Sequence, residues 1–326
     1  MNERLGLAGL LLLLGTGWGA TQTLSKIAVS GGHGPLGLIF WQLVIGAALL
    51  GGVTFLRRGR LPRHRAALGL YLMIAVIGTI LPNTAGYIAA RQLPAGILSI
   101  TIATVPMMAL PLALAMGNDR FSWGRLGGLG LGLMGVVLIA APEASLPEAG
   151  MAAFLPLALV APFFYAVEGN LVAKWGLAGC DPVEVLFGAS ALGAVIALPL
   201  ALATGQWIDP LDGIGGPEAA LILSATIHAF AYAGYVWLIA RAGAIFAAQI
   251  SYIVTGTGVL WAMATLGERY SGWVWLALGA MLAGLALVQP RARDALAAPA
   301  LPDDDVPQGG DGGQVARPPP EERTRA

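Results

Sequence analysis

The chain has 326 residues, 57% of them hydrophobic and 11% charged, with 18 Lys and Arg balancing 18 Asp and Glu. A soluble domain carries about 25% charged residues, and a zero net charge offers no global field to nucleic acid, so a water-soluble globule is excluded and no nucleic-acid partner is expected. Cys180 is alone and cannot form an intramolecular disulfide, and His33, His64 and His228 lie too far apart in sequence for zinc-type spacing, so no metal or other cofactor is expected.

Apolar runs of roughly 18 residues or more, each long enough to cross a hydrocarbon core of about 30 Å, recur from Leu5 to Val288. The first follows Arg4 and has the flank of a signal peptide, but no small-x-small cleavage site follows, so it reads as an uncleaved helix over 5–29. Breaks rich in polar residues, Gly or Pro then set helices at 36–56, 68–90, 95–116 and 123–141. A second set follows at 151–174, 182–203, 217–239, 244–265 and 272–289. The expected fold class is an all-α integral membrane protein with ten transmembrane helices and the lipid bilayer as solvent. After Pro290 come Ala-Pro runs, three consecutive Asp and a Pro triplet, which predict a disordered tail over 291–326, a solvated spacer rather than a partner-binding tag.

Basic residues are retained on the cytoplasmic side of a membrane. With the amino terminus inside, the cytoplasmic connections hold Arg57, Arg58, Arg60, Arg63, Arg65, Arg120, Arg125, Lys174, Arg241, Arg291 and Arg293. Only Lys26, Arg91 and Arg269 approach the other side. Both termini are therefore expected in the cytoplasm.

The two halves align at an offset of 148 to 150 residues. Gln22 with Lys26 recurs as Asn170 with Lys174, Ala90-Arg91 as Ala240-Arg241, and the Gly117–Ser122 connector as Gly267–Ser271, each connector followed by Trp123 or Trp273. Several matches in one order at nearly one spacing make duplication the economical explanation. The expected units are 1–143 and 144–290, followed by the tail. Five crossings per unit force the second half to enter from the opposite face, giving two inverted five-helix repeats whose exchange of packings would convert an inward-open cavity into an outward-open one.

Gly17-Trp18-Gly19 with Lys26, Leu93-Pro94-Ala95-Gly96 at the start of the fourth helix, and Gly267-Glu268-Arg269-Tyr270-Ser271 between the last two helices resemble the drug/metabolite transporter superfamily, in its ten-helix branch with two EamA-type repeats. The likeness covers about residues 5–289. It implies an inner-membrane carrier of amino acids or other small metabolites, an exporter or less often an importer, with helices 1–4 and 6–9 around a central cavity. Two positions depart from the pattern: Asn118-Asp119-Arg120 stands where Gly-Glu-Arg is frequent, and Ala242-Gly243-Ala244 where a Leu-Pro-Ala-Gly-like run is expected.

Polar groups are costly in lipid and should face a packed or wet interior. Helical spacing puts Gly15, Trp18, Gln22 and Lys26 on one stripe of helix 1, and Thr79, Asn83, Tyr87 and Arg91 on one stripe of helix 3. In the second half, Tyr165 and Glu168 share a face, as do His228, Tyr232 and Tyr235, and Gln249, Tyr252 and Gly256. The candidate cargo-binding residues are Trp18, Gln22, Lys26, Asn83, Tyr87, Tyr165, Glu168, His228, Tyr232, Gln249 and Tyr252. Each has a plainer alternative: Trp18 and Tyr87 as packing aromatics, Lys26 and Arg91 as cations reaching the outer surface, His228 as a neutral hydrogen-bonded residue. Glu168 either pairs with a basic group or meets the cavity, while Asn170 points about 200° away around the same helix. Aromatic and amide groups with flanking charges suit a zwitterion or small organic ion, with Lys26 or Arg91 meeting a carboxylate.

Gly124, Gly128 and Gly132 in helix 5, and Gly279 with Ala283 in helix 10, permit close helix packing and suit a scaffold or a homodimer contact. No G-x-x-x-x-G-K-[ST] run is present to grip ATP, so transport would draw on gradients. Two rivals are an intramembrane serine hydrolase using Ser190 and His228, whose Gly188-Ala189-Ser190 string is equally a packing motif, and a scaffold acting through the tail.

Overall fold

Backbone groups in a bilayer find no water, so an apolar run must satisfy its N–H and C=O groups within itself. In the computed structural model, which describes residues 2–118, 120–141, 146–242 and 249–288, the apolar runs are helical and no strand occurs among the described residues. The helices are α1 (Asn2–Ser30), α2 (Pro35–Leu56), α3 (Arg65–Gln92), α4 (Ala95–Met116), α5 (Trp123–Ala140), α6 (Gly150–Trp175), α7 (Pro182–Ala203), α8 (Gly216–Ala242), α9 (Ile250–Leu266) and α10 (Gly272–Val288). The seven from α1 to α7 are long and apolar enough to cross a membrane, and α9 and α10 are shorter apolar helices. Residues Met1–Gln289 form one compact unit.

Local chemistry sets the helix ends. Pro35 opens α2, where its missing N–H costs nothing. The Asp181 side chain accepts the Val183 N–H at 2.8 Å and caps α7. Gly117 and Gly267, at matching positions in the two halves, close α4 and α9 with φ of 74° and 66°, a left-handed backbone that glycine adopts without strain.

Three helices are less regular than their periodicity predicts. In α3, Ile74–Ile80 is π-helical, an insertion that shifts the register of every later side chain. In α4, Ile102 and Val105 flank a break where Ala103 and Thr104 bond back to the carbonyls of Ile100 and Thr101, because Pro106 cannot continue the donor ladder. In α6, a 3-10 turn over Ala149–Phe154 precedes Pro156. The ninth predicted helix, 244–265, is seen only from Ile250. Residues 243–248, the 142–145 connection and the tail 291–326 lie outside the described residues.

Hydrogen bonds sort the helix ends into two groups. At one end, Lys26 on α1 reaches the Leu93 carbonyl at 2.9 Å, Arg91 on α3 reaches the His33 carbonyl at 2.5 Å, and Gln206 after α7 accepts the Leu36 N–H at 2.9 Å. His33 also contacts Glu218 at the start of α8. At the other end, Glu184 on α7 accepts the Arg60 N–H at 3.1 Å, and Asn118 after α4 donates to the Asn170 carbonyl on α6 at 3.0 Å. Exposed Trp207, Trp273 and Trp275 mark the first end, and Phe121, Trp123 and Trp175 the second. Such aromatic belts are usual at the two membrane–water boundaries.

Gly128 of α5 and Gly284 of α10 face each other, while Gly132 faces Met107 of α4 and Gly279 has no neighbour within 4 Å of an added Cβ. A Cβ added at Gly128 would lie 2.6 Å from the Gly284 carbonyl oxygen, and one at Gly284 equally close to the Gly128 oxygen, so the two backbones touch. Gly127 and Gly130 on the other side of α5 have nothing within 4 Å of an added Cβ.

Candidate functional site

A cavity of about 430 Å³ lies among the helices, a size within the roughly 300–1,000 Å³ of small-molecule sites. Its polar wall comes from Trp18 and Gln22 on α1, Gln42 on α2, Asn83 and Tyr87 on α3, Tyr165 and Glu168 on α6, and His228, Tyr232 and Tyr235 on α8. Thr101 on α4, Leu186 on α7 and Ser251 on α9 complete it, and no lining residue comes from α5 or α10 among the described residues. Helices from both halves of the chain therefore enclose one space.

One wall is a continuous hydrogen-bonded chain. Tyr165 donates its hydroxyl to Asn83 Oδ1 at 3.0 Å, Asn83 Nδ2 donates to Gln42 Oε1 at 3.2 Å, and the Tyr87 hydroxyl donates to the same oxygen at 2.9 Å. A buried amide or hydroxyl left without a partner costs about 1–3 kcal/mol, so each member holds the next in place. The chain ties α6 to α3 and α3 to α2. A second part of the lining is aromatic. The Trp18 ring meets His228 at 5.5 Å, Tyr235 at 6.1 Å and Tyr232 at 6.2 Å, all edge-on, and its indole N–H donates to His228 Nδ1 at 3.2 Å.

Glu168 faces the π-helical stretch of α3. A Cβ at Gly78 would lie 2.5 to 2.7 Å from its carboxyl atoms, so that glycine makes room for the acid. Tyr165 and Tyr232 lie within its electrostatic reach. Of the two sequence readings for Glu168, the structure gives the one that meets the cavity, and no Lys or Arg stands among the described lining residues. Asn170, two residues on, is buried and bonds the Ala109 and Ala166 carbonyls instead.

Eight of the sequence candidates, Trp18, Gln22, Asn83, Tyr87, Tyr165, Glu168, His228 and Tyr232, are thus brought together. Lys26, Gln249 and Tyr252 are not. Lys26 ends on the Leu93 carbonyl, because eight residues beyond Trp18 on a helix is about 12 Å along the axis. Gln249 is exposed ahead of α9, and Tyr252 packs against the main apolar core. The cavity face of α9 is instead Ile250, Ser251 and Val254. Gln42, which no helical stripe singles out, also lines the cavity, and its signal in the sequence is that it is the one amide in an otherwise apolar run. Ser190 does not line the cavity and sits near Gly46, while His228 Nδ1 is taken by Trp18, so the two residues of the hydrolase reading are not joined.

Lys26 and the other two motifs that carry the family resemblance meet at one place outside the cavity. Glu268, in the connector between α9 and α10, accepts the Ala95 N–H at 2.8 Å and the Gly96 N–H at 3.2 Å. Pro94 offers α4 no side-chain cap, so this carboxylate from the other half of the chain serves as one, favoured by the positive end of the helix dipole. Tyr270 bonds the Glu268 carboxylate and the Gly96 N–H, and Lys26 lies within reach of the same charge. Burial, then the hydrogen bond to Glu268, holds the Tyr270 phenol well above its ordinary pKa, so it remains a donor at any working pH.

Comparison with known proteins agrees with this geometry. The profile of the EamA-like transporter family matches residues 6–141 and again 153–289, and the chain belongs to that family. It is a membrane transporter of the drug/metabolite superfamily. The uncharacterized inner membrane transporter YedA of Escherichia coli (strain K12) is 25% identical over 294 residues, covering 88% of this chain and 92% of that protein. YedA of strain O157:H7 matches with the same figures. A solved crystal structure shares the fold at a TM-score of 0.62 and 17% identity, covering 89% of this chain and 97% of that one.

Proposed function

We propose that the chain is a secondary active transporter that exports a small polar metabolite, such as an amino acid or related organic ion, by alternating access between two inverted five-helix repeats. The observation that carries this is a polar cavity walled by helices of both halves, with no lining residue from α5 or α10 among the described residues. Repeats at 1–143 and 144–290, making ten crossings, are supported by the two family matches, 6–141 and 153–289, and by the matched glycine ends of α4 and α9. Exchange of packings between such halves opens one shared space to either side in turn. An inner-membrane location accords with the relative's name. Cytoplasmic termini, with 291–326 as a cytoplasmic tail, accord with the Arg-rich α2–α3 connection at the end opposite Lys26 and Arg91. Self-association through α5 and α10 would use faces other than their shared glycine seam, for example that of Gly127 and Gly130.

The test begins with an untargeted comparison of metabolites inside and outside cells with and without the protein, followed by flux of the affected compound in proteoliposomes. The compound is expected outside the producing cells, and Tyr87→Ala, which breaks the chain through Gln42, is expected to lower flux about tenfold or more at equal membrane abundance. Accumulation inside the cells would make the protein an importer. Unchanged flux in Tyr87→Ala would remove the cavity from the mechanism.

A further inference from the structure

We propose that the cargo is an organic cation, a small amine with an apolar body, held by Glu168 as counter-charge against the aromatic wall of Trp18, Tyr232 and Tyr235. This rests on the reading of the cavity as a transport site and narrows its cargo.

Glu168 is the one acid among the described lining residues, and none of them is Lys or Arg. The two cations that could have met a carboxylate cargo are engaged elsewhere: Lys26 with the Leu93 carbonyl at 2.9 Å, Arg91 with the His33 carbonyl at 2.5 Å. His228 adds no positive charge in this arrangement, because its Nδ1 accepts the Trp18 N–H and so carries no proton. The Glu168 carboxyl makes no hydrogen bond to any described residue.

A carboxylate drawn out of water is costly unless a positive partner meets it. An anionic cargo would bring a second like charge, and a neutral one would leave the acid unpaired. A cation supplies what the wall lacks. The other features of the space fit the same chemistry. Trp18, Tyr232 and Tyr235 cluster within 6.4 Å of one another by ring centroids, and aromatic rings present negative faces to a cation. The chain of Gln42, Asn83, Tyr87 and Tyr165 offers neutral polar groups, with both tyrosine hydroxyls and one Asn83 N–H committed within it. That wall can position a cargo without adding charge.

The test is equilibrium binding to the purified full chain in detergent, using radiolabelled phenethylammonium and its N,N,N-trimethyl analogue, whose charge is fixed. The competitors are 3-phenylpropionate and 2-phenylethanol, of similar shape but negative or neutral. Both ammonium compounds should bind saturably and displace each other, and neither competitor should displace them at comparable concentration. In Glu168→Gln, both should bind at least about tenfold more weakly, with the elution profile of the folded protein unchanged. Displacement by phenylpropionate, equal binding of the alcohol, full affinity in Glu168→Gln or no saturable ammonium binding would each overturn the proposal. Should Glu168→Gln fail to fold, the competitor series on the unaltered chain decides. The flux of metabolites found in cells tests the carrier reading separately: an anion carried across proteoliposomes would end the cation assignment and leave the transporter standing.

Discussion

Replacing Glu268 with alanine is expected to loosen the end of the bundle where α1, α4 and α9 meet, lowering the apparent melting midpoint in detergent by roughly 5–10 °C. The carboxylate accepts two N–H groups of the first turn of α4, at Ala95 and Gly96, which have no cap of their own behind Pro94. It also gives Lys26 a nearby opposite charge and fixes Tyr270. Losing a helix cap costs about 1 kcal/mol and leaving partly buried donors unmet adds about 1–3 kcal/mol, so a total of about 2–4 kcal/mol is expected. Glu268→Gln keeps one acceptor oxygen and should fall between alanine and the native chain. Tyr270→Phe removes the donor to Glu268 and one of the two acceptors of the Gly96 N–H, whose other acceptor is Glu268, and should cost about 1 kcal/mol. Thermal scans followed by size-exclusion chromatography check all three, and equal midpoints for the native chain and Glu268→Ala would show that the cap carries no stability.

The second large effect is expected at the α5–α10 seam. Gly128→Leu would force side-chain atoms into the Gly284 backbone and the Val288 side chain, which a Cβ at Gly128 would already approach to 2.6 and 2.8 Å. The facing atom is a carbonyl oxygen on a packed helix, so the helices must separate, and overpacking of this kind costs about 1–3 kcal/mol or more. Gly127→Leu, one residue earlier, enters open space and serves as the control. Membrane abundance and the fraction eluting as a single folded species should drop sharply for Gly128→Leu and hold for Gly127→Leu. Equal behaviour of the two would remove the seam as a packing element.

The sequence made the helices legible because lipid leaves an apolar run no other way to satisfy its backbone. It also made most of the cavity legible. A polar residue in such a run is expensive, and its helical spacing says which neighbours share its face, as with Trp18 and Gln22, Asn83 and Tyr87, or Tyr165 and Glu168. The failures have local causes. Gln42 stands alone in α2, so no periodic partner drew attention to it. The α9 face is hard to read from polarity, because Gln249 precedes the helix and the residues that do meet the cavity, Ile250, Ser251 and Val254, carry little of it. The π-helical stretch of α3 and the break in α4 depend on tertiary packing and on Pro106, not on the period of the apolar residues. Lys26 falls on the stripe of Trp18 but two turns beyond it, and angular position alone hides that distance. The Glu268 cap joins residues 95 and 268, a long-range pairing that the recurrence of motifs suggests only as a shared pattern.

Single cysteines at Arg60 and Leu211, placed in a Cys180→Ser background, give the most direct measurement of the inverted arrangement on which the shared cavity depends. Arg60 follows the second helix of the first half, and Leu211, 90% exposed, follows the second helix of the other. Labelling with a membrane-impermeant maleimide in intact and opened cells should place them in opposite compartments, Arg60 inside and Leu211 outside. Finding both in the same compartment would mean that the halves run parallel, and the alternating-access reading would be contradicted.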